Sequence, residues 1–327
     1  MLLYIVKRLL LMIPTLVVIS MISFAVITLP PGDYLDTLIQ QMEEKGDAVS
    51  LELVDAMRER YALDKPAYVQ YLRWVGGILH GDFGYSMQHR RPVSDLIWSR
   101  IGLTACVSLG SILLTWLLAF PTGVYCAVRQ RSFGDYVATF LGFVGMATPN
   151  FLIALVFMYI AFEGWGFALT GLFSREFMNA PWSPARAVDL LKHIWLPIVI
   201  VGTAGTAGMI RVLRNNLLDH LSKPYVVTAR AKGVGELKLL FKYPVRMALN
   251  PFVSGIGGLL PALISADAIT GIVLNLPTTG PMLLAALRGQ DLYLAASFLL
   301  LLTTLGLVGR LISDLLLTVL DPRIKYE

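Results

Sequence analysis

Residues 9–29 contain no charged side chain, and this run is one of six long apolar stretches that govern what the chain can become. The others are 101–128, 136–162, 194–210, 250–273 and 294–320. A helix needs about 20 predominantly apolar residues to cross roughly 30 Å of hydrocarbon, and each run is of that order. No segment alternates with the period of a strand, and lipid forbids open sheet edges. With 56% hydrophobic and 15% charged residues, the chain has more apolar side chain than a soluble core of 327 residues can hide. The expected fold class is therefore an all-α membrane protein with six transmembrane helices.

Lysine and arginine near the ends of the runs set the expected orientation. Lys7 and Arg8 precede the first run, and Arg129 and Arg131 follow the second. Eight basic residues from Arg211 to Arg246 separate the fourth run from the fifth, and Arg323 and Lys325 follow the sixth. All four clusters share one side if both termini are cytoplasmic. The N-terminal run is too long for a signal peptide and lacks a small-residue cleavage site, so it reads as a retained first span.

Three parts follow: 1–29, the cytoplasmic start and first span; 30–100, an extracytoplasmic helical subdomain; and 101–327, a five-helix core with a cytoplasmic loop at 211–249. In the subdomain, Tyr68, Tyr71, Leu72, Val75, Ile78 and Leu79 recur at helical spacing after Pro66, and Gly81 ends the helix. A shorter helix is expected around 51–61. Residues 282–288, opened by Thr278-Thr279-Gly280-Pro281 and closed by Gly289, read as a short external helix.

Within the spans, Ala147-Thr148-Pro149-Asn150 predicts a kink, because proline removes a backbone donor and clashes with the preceding turn. Thr148 and Asn150 beside it are candidate pathway residues or helix-packing groups. Asp267, the lone acid of the fifth run, is a candidate for either a pathway or a structural interhelix contact. Arg310 and Asp314 are four apart and are expected to pair. Gly202, Gly205 and Gly208 predict a close helix approach. Cys106 and Cys126, about 30 Å apart on one helix, cannot bridge each other. His80, His89, His193 and His220 are scattered without metal-ligand spacing, so no metal site is expected.

The most informative stretch is Lys223 to Val234. Pro224 favours a helix start, Gly233 a left-handed stop, and basic residues crowd the C-terminal end, where the helix dipole favours them. A short stiff helix between two spans is suited to transmit displacement from a soluble partner. Thr228-Ala229-Arg230-Ala231-Lys232-Gly233 resembles the cytoplasmic loop of permeases of the dipeptide, oligopeptide and nickel importer family. The wider importer pattern has Glu-Ala-Ala, three residues, then Gly; here Val227 and Thr228 replace the glutamate and first alanine, and Tyr243-Pro244-Val245-Arg246 replaces Ile-x-Leu-Pro. The same family is suggested by Ile13-Pro14-Thr15, Pro31-Gly32-Asp33, the stretch from Tyr68 to Trp74, Gly81-Asp82-Phe83-Gly84-Tyr85-Ser86, Arg91-Pro92-Val93 and Leu320-Asp321-Pro322-Arg323-Ile324.

The resemblance implies a type I ABC importer permease in the bacterial inner membrane, paired with a second homologous permease. Two cytoplasmic ATP-binding cassette subunits and an extracytoplasmic solute-binding protein complete the assembly. It implies ATPase coupling through Tyr225, Thr228, Ala229, Arg230, Ala231, Lys232 and Gly233. ATP and magnesium would sit on the partner ATPases and no cofactor on this chain, which has no G-x-x-x-x-G-K-[ST] loop and is not expected to be an enzyme. Peptides are the first expectation for the solute. Leu274-Asn275-Leu276-Pro277-Thr278-Thr279-Gly280-Pro281 replaces the Pro-Gly-x-Gly turn common in peptide-type members, which keeps oligosaccharides and nickel complexes open. From other classes, an ATP-independent secondary transporter or a non-transporting scaffold remain alternatives, while the acids within the spans match no intramembrane protease site.

Overall fold

The computed structural model of the chain describes residues 2–29, 35, 39, 65–165, 170–178, 180–255 and 268–320. Apart from a two-residue hairpin, β1 (Tyr85–Ser86) with β2 (Arg91–Pro92), every regular element among them is a helix. In chain order these are α1 (Leu2–Thr28), α2 (Ala67–Leu79), α3 (Val93–Val128), α4 (Phe133–Ala147), α5 (Asn150–Trp165) and α6 (Pro184–Leu221). Then come α7 (Pro224–Ala231), α8 (Glu236–Lys242), α9 (Pro244–Ala248), α10 (Ala268–Val273), α11 (Thr279–Arg288) and α12 (Leu292–Leu320).

Three unbroken stretches, Tyr4–Thr28, Val93–Val128 and Leu292–Thr318, are long and apolar enough to cross a membrane. Two bent pairs bring the number to five if each pair is one span. Half of the fifth expected run, residues 256–267 with Asp267 among them, lies outside the described residues, as do the expected helix at 51–61 and the stretch after Leu320.

The third expected span departs from a kinked helix. Residues 133–147 and 150–164 are two helices at 98° to each other. Pro149 has no amide hydrogen, and its ring pushes the preceding residue out of the helical region. Thr148 accordingly takes φ −94° and ψ 119° and ends α4, while its hydroxyl donates to the Val144 carbonyl at 2.8 Å. The fourth span departs in the other direction: α6 has 38 residues and passes through Arg211 to Leu221, so the connection that follows starts at Ser222.

The chain divides into two compact units, residues 1–103 with 278–307, and residues 104–277 with 308–327. In the first unit, Phe24, Trp74, Val93, Leu96, Ile97 and Phe298 belong to one buried cluster. The Trp74 indole N–H donates to the Ser297 hydroxyl at 3.3 Å, and that hydroxyl donates to the Phe83 carbonyl at 3.2 Å. Tyr71, Val75 and Ile78 pack against the cluster, but Tyr68, Leu72 and Leu79 are exposed. The six apolar positions of α2 fall within about 120° of arc, one face as expected, but only the side carrying 71, 75 and 78 packs against the cluster. Gly81, at φ +82°, closes α2 as expected, with the Asp82 amide returning to the Gly77 carbonyl at 2.9 Å. After α11 the left-handed position is taken by Gln290, at φ +51°, and not by Gly289.

Two features anchor the hairpin of this unit. Gly84 sits at φ +89°, and a Cβ there would meet the Tyr293 ring at 3.0 Å. Asp291, 1% exposed, accepts from the Ser86 hydroxyl at 2.5 Å and from the Gln88 amide at 3.2 Å. Burial pushes the Asp291 carboxyl above the usual carboxylate range despite the Ser86, Gln88 and Leu294 donors and nearby His89.

In the second unit, α3 and α6 meet through small residues and hydroxyls. A Cβ on Gly202 would lie 3.2 Å from Leu114 and the Ser111 carbonyl, and Thr115 donates to the Gly202 carbonyl at 2.9 Å. The glycine contact expected from the sequence is present at Gly202 and Gly205, whereas a Cβ at Gly208 would meet open space. In the first turns of α6, Asp189 accepts from the Ser174 amide and hydroxyl at 2.8 and 2.6 Å, and Arg186 lies over the Phe173 and Trp182 rings. Both cysteines are free thiols. Among the described residues Arg310 and Asp314, expected to pair, form no ion pair with each other.

Gly84→Ala should lower the apparent melting temperature of the purified protein by roughly 3–8 °C, since left-handed backbone costs about 1–2 kcal/mol before the Tyr293 clash is added. Gly81→Ala, equally left-handed but facing open space, should cost less. A second expectation concerns pH. The folded-state value of Asp291 lies above the unfolded one, so its contribution is full below about pH 3.9 and is lost as pH rises through the folded value. The melting temperature of Asp291→Asn relative to the parent should therefore rise between pH 4 and pH 8; a flat difference would show that the carboxyl does not titrate in this window.

Candidate coupling site

The segment after α6 folds as the sequence directs. Lys223, in extended conformation, caps α7, and Pro224 occupies its first turn, where a missing amide hydrogen costs nothing. The Thr228 hydroxyl donates to the Pro224 carbonyl at 2.8 Å. At the other end Gly233 takes φ +77°, and the Val234 amide reaches back to the Ala229 carbonyl at 3.3 Å, a Schellman-type stop. Gly235 caps α8, and Tyr243 with Pro244 starts α9.

Val226 and Leu239, both 0% exposed, bury with Ala229, flanked by Val234 and Tyr243, and thereby seat α7 on α8. Val245 and Ala248 of α9 bury with Leu213 and Leu217 of α6 and Val124 and Ala127 of α3. A continuous path of packed side chains thus runs from α7 through α8 and α9 to the long helices of this unit.

The opposite face of α7 is open. Tyr225, Val227, Thr228, Arg230, Ala231 and Lys232 are exposed, whereas Ala229, expected at the same site, is buried in the seat. Tyr225 and His220 share a hydrogen bond of 2.9 Å between the phenol oxygen and Nδ1, which ties α7 to the end of α6. Arg230 donates twice to Glu236, at 2.7 and 3.2 Å. That pair holds the Glu236 carboxyl below its usual range and raises the guanidinium further. Both groups are solvated, so the pair fixes the α7–α8 turn more than it stabilises the fold.

Leu237 and Phe241 extend the open surface. They are 75% and 51% exposed and lie four apart on α8. Sequence reasoning passed over both, because Leu237, Leu239, Leu240 and Phe241 leave α8 apolar on all sides and periodicity cannot choose a face.

Asp135 was also missed. It accepts from Arg214 Nε and Nη2, both at 2.9 Å, and from the Arg131 amide at 2.9 Å. Ser132 caps α4 by accepting from the Asp135 amide at 3.2 Å. The available signal was Ser132-x-x-Asp135, a capping-box variant at the start of an apolar run. This bidentate bridge clamps the start of α4 to α6 ten residues before α7.

Thr148 and Asn150 flank the break between α4 and α5, away in sequence from the coupling segment; Asp267 lies outside the described residues. Among the described residues no group of three or more histidine, cysteine or acidic side chains is arranged to hold a metal ion.

Comparison with known proteins decides the family. Residues 119–326 match the family model described as binding-protein-dependent transport system inner membrane component, and residues 1–109 match the N-terminal model of the same system. The chain belongs to this permease family. Among its relatives are the oligopeptide transport system permease protein AppB of Bacillus subtilis, 34% identical over 99% of both chains, and a putative peptide permease protein of Brucella ovis, 32% identical over 99% of both. The dipeptide transport system permease protein DppB of Escherichia coli is 29% identical over the full length of both. The permease is a multi-pass protein of the bacterial inner membrane and a subunit of an ATP-driven, binding-protein-dependent importer.

The clamp of the permease can be tested on its own. Asp135→Asn leaves Arg214 without its carboxylate and should cost about 3 kcal/mol, the low end for breaking a buried pair because Arg214 is partly solvated. In a double-mutant cycle read by thermal denaturation, Asp135→Leu with Arg214→Met should lose less than the sum of the single changes. Strict additivity would show that the two side chains are energetically independent.

Proposed function

We propose that this permease forms half of the solute pathway of a peptide importer and that α7 takes up movement from a cytoplasmic ATPase. The observation that carries the reading is the form of α7. It is a rigid two-turn helix with one face buried in a seat continuous with α6 and α3, and with the other face, Tyr225, Val227, Thr228, Arg230, Ala231 and Lys232, open to solvent. An apolar and basic face of that size, extended by Leu237 and Phe241, suits the groove of a soluble protein.

In this reading the chain crosses the membrane six times with both termini cytoplasmic, and the basic clusters from Lys7 to Lys325 lie on the cytoplasmic side. A second homologous permease supplies the other half of the pathway. Two ATP-binding cassette subunits hold ATP and magnesium, and a solute-binding protein delivers the cargo from outside. Nucleotide binding closes the ATPases, α7 moves with them, and the path through α8 and α9 turns that displacement into reorientation of the long helices. Thr148 and Asn150, at the break between α4 and α5, and Asp267 are the candidate pathway residues. Peptides are favoured as cargo over oligosaccharides or nickel complexes, because the relatives are named as oligopeptide, peptide and dipeptide permeases.

Gly233 offers the sharpest test, since a Cβ there meets nothing within 4 Å and a substitution is penalised through the backbone alone. Gly233→Val should assemble with its partners yet lose most peptide uptake and peptide-stimulated ATP hydrolysis in proteoliposomes. Gly233→Asn, which tolerates the left-handed region, should keep both. Unimpaired stimulation in the valine variant would remove α7 from the coupling path.

A further inference from the structure

A second surface of the permease carries chemistry that coupling does not use. Between α4 and α6 lies an open cavity of about 220 Å³ whose character changes along its length. Near the start of α4 it is lined by Tyr136, Arg214 and Asn215, further along Arg211 lies over the Phe143 ring, and Met146 lines it beyond. Asp135 and Met146 are eleven residues apart on α4, so the groove extends for about 16 Å along the helix. It starts beside the basic pair Arg129 and Arg131, where the apolar run begins, and continues into the apolar part of a membrane-spanning segment. The polar end therefore lies at the interface and the apolar end within hydrocarbon.

The charges in the groove do not balance. One carboxylate, Asp135, stands against two guanidiniums, Arg211 and Arg214, leaving a net charge of +1. Asp135 is engaged by Arg214 through both oxygens. Arg211 is exposed and lies 5.8 Å over the Phe143 ring; among the described residues it forms no ion pair. A cation at a membrane interface, above an apolar trough and beside a second arginine, selects a ligand with an anionic head and a hydrocarbon tail. A phosphodiester suits the planar fork of a guanidinium, and an acyl chain suits the strip from Gly142 to Met146. A nucleotide or sugar phosphate would have to place polar groups in that strip, at a desolvation cost the lipid avoids.

We propose that the α4–α6 groove binds an anionic phospholipid, with Arg211 holding the headgroup phosphate and the apolar strip receiving the upper acyl chain. The inference depends on the membrane placement of α4 and α6 and not on the peptide or ATPase reading.

The test is native mass spectrometry of the importer complex, purified from its membrane in mild detergent, for the parent, Arg211→Gln and Arg211→Lys. The parent should retain phosphatidylglycerol or cardiolipin in preference to phosphatidylethanolamine. Arg211→Gln should lose that retention by about fivefold or more, the weight of one interfacial cation, and Arg211→Lys should keep most of it. Equal retention in the parent and Arg211→Gln would overturn the proposal, as would a preference for phosphatidylethanolamine in the parent. Release of the lipid by millimolar inorganic phosphate would assign the groove to a soluble anion. A disulfide between Phe143→Cys and a cysteine placed on the partner permease would assign it to the subunit interface. Either result would overturn the lipid assignment. If Arg211→Gln does not assemble, the lipid preference of the parent and the phosphate competition still decide the matter.

Discussion

A hydroxyl or peptide group in hydrocarbon has no water to turn to, and the interior of this permease is organised around that shortage. Ser111 donates to carbonyls of its own helix and of α6, Thr115 to the Gly202 carbonyl, and Ser313 to the Val253 carbonyl at 2.6 Å. Apart from the Ser111 bond within its own helix, each satisfies a side chain and at the same time joins two helices. The glycines beside them allow the backbones to approach closely enough for this to work. Hydrophobic burial contributes little between helices already surrounded by lipid, so these contacts and the packing they permit hold the spans in register. The break at Pro149 belongs to the same account: the lost amide ends α4, and the Thr148 hydroxyl turns back to a carbonyl of the last turn.

Where the long helices leave the apolar region, a different set of forces takes over. Charge pairing with full hydrogen-bond geometry appears at Asp135 and Arg214, and compact apolar packing appears under α7. The two devices act on the same helix, α6, one at its flank and one near its end. Together they leave α6 little freedom to move independently of α4 or of the α7–α9 segment.

Much of this was legible in the sequence and some was not, for identifiable reasons. Uncharged runs report how deep a segment sits, and they located the described spans well. They do not report helix length: Lys192 and Arg211 ended the fourth run while the helix itself continued past both ends. Pro224 and Gly233 act through local backbone geometry, so α7 could be read almost to the residue. The Asp135–Arg214 bridge joins positions 79 apart and had no local signature beyond a helix cap. Arg214 was therefore counted only as one member of a basic cluster. The association of residues 278–307 with the first 103 is likewise a long-range outcome that composition cannot announce.

The seat and the open face of α7 are built from different residues. Val226 and Ala229 hold the helix in place; Tyr225, Val227, Thr228 and Lys232 contribute nothing to that burial. Substitutions at Val227 and Lys232 are therefore nearly free of folding consequences, whereas Tyr225 also ties α7 to His220. In the proposed coupling role, this separates the surface a partner would meet from the mechanics of the connection. On that proposal, a duplicated importer would take a new soluble subunit by changing a few outward side chains, and two importers in one cell would keep their partners distinct without redesigning the membrane domain.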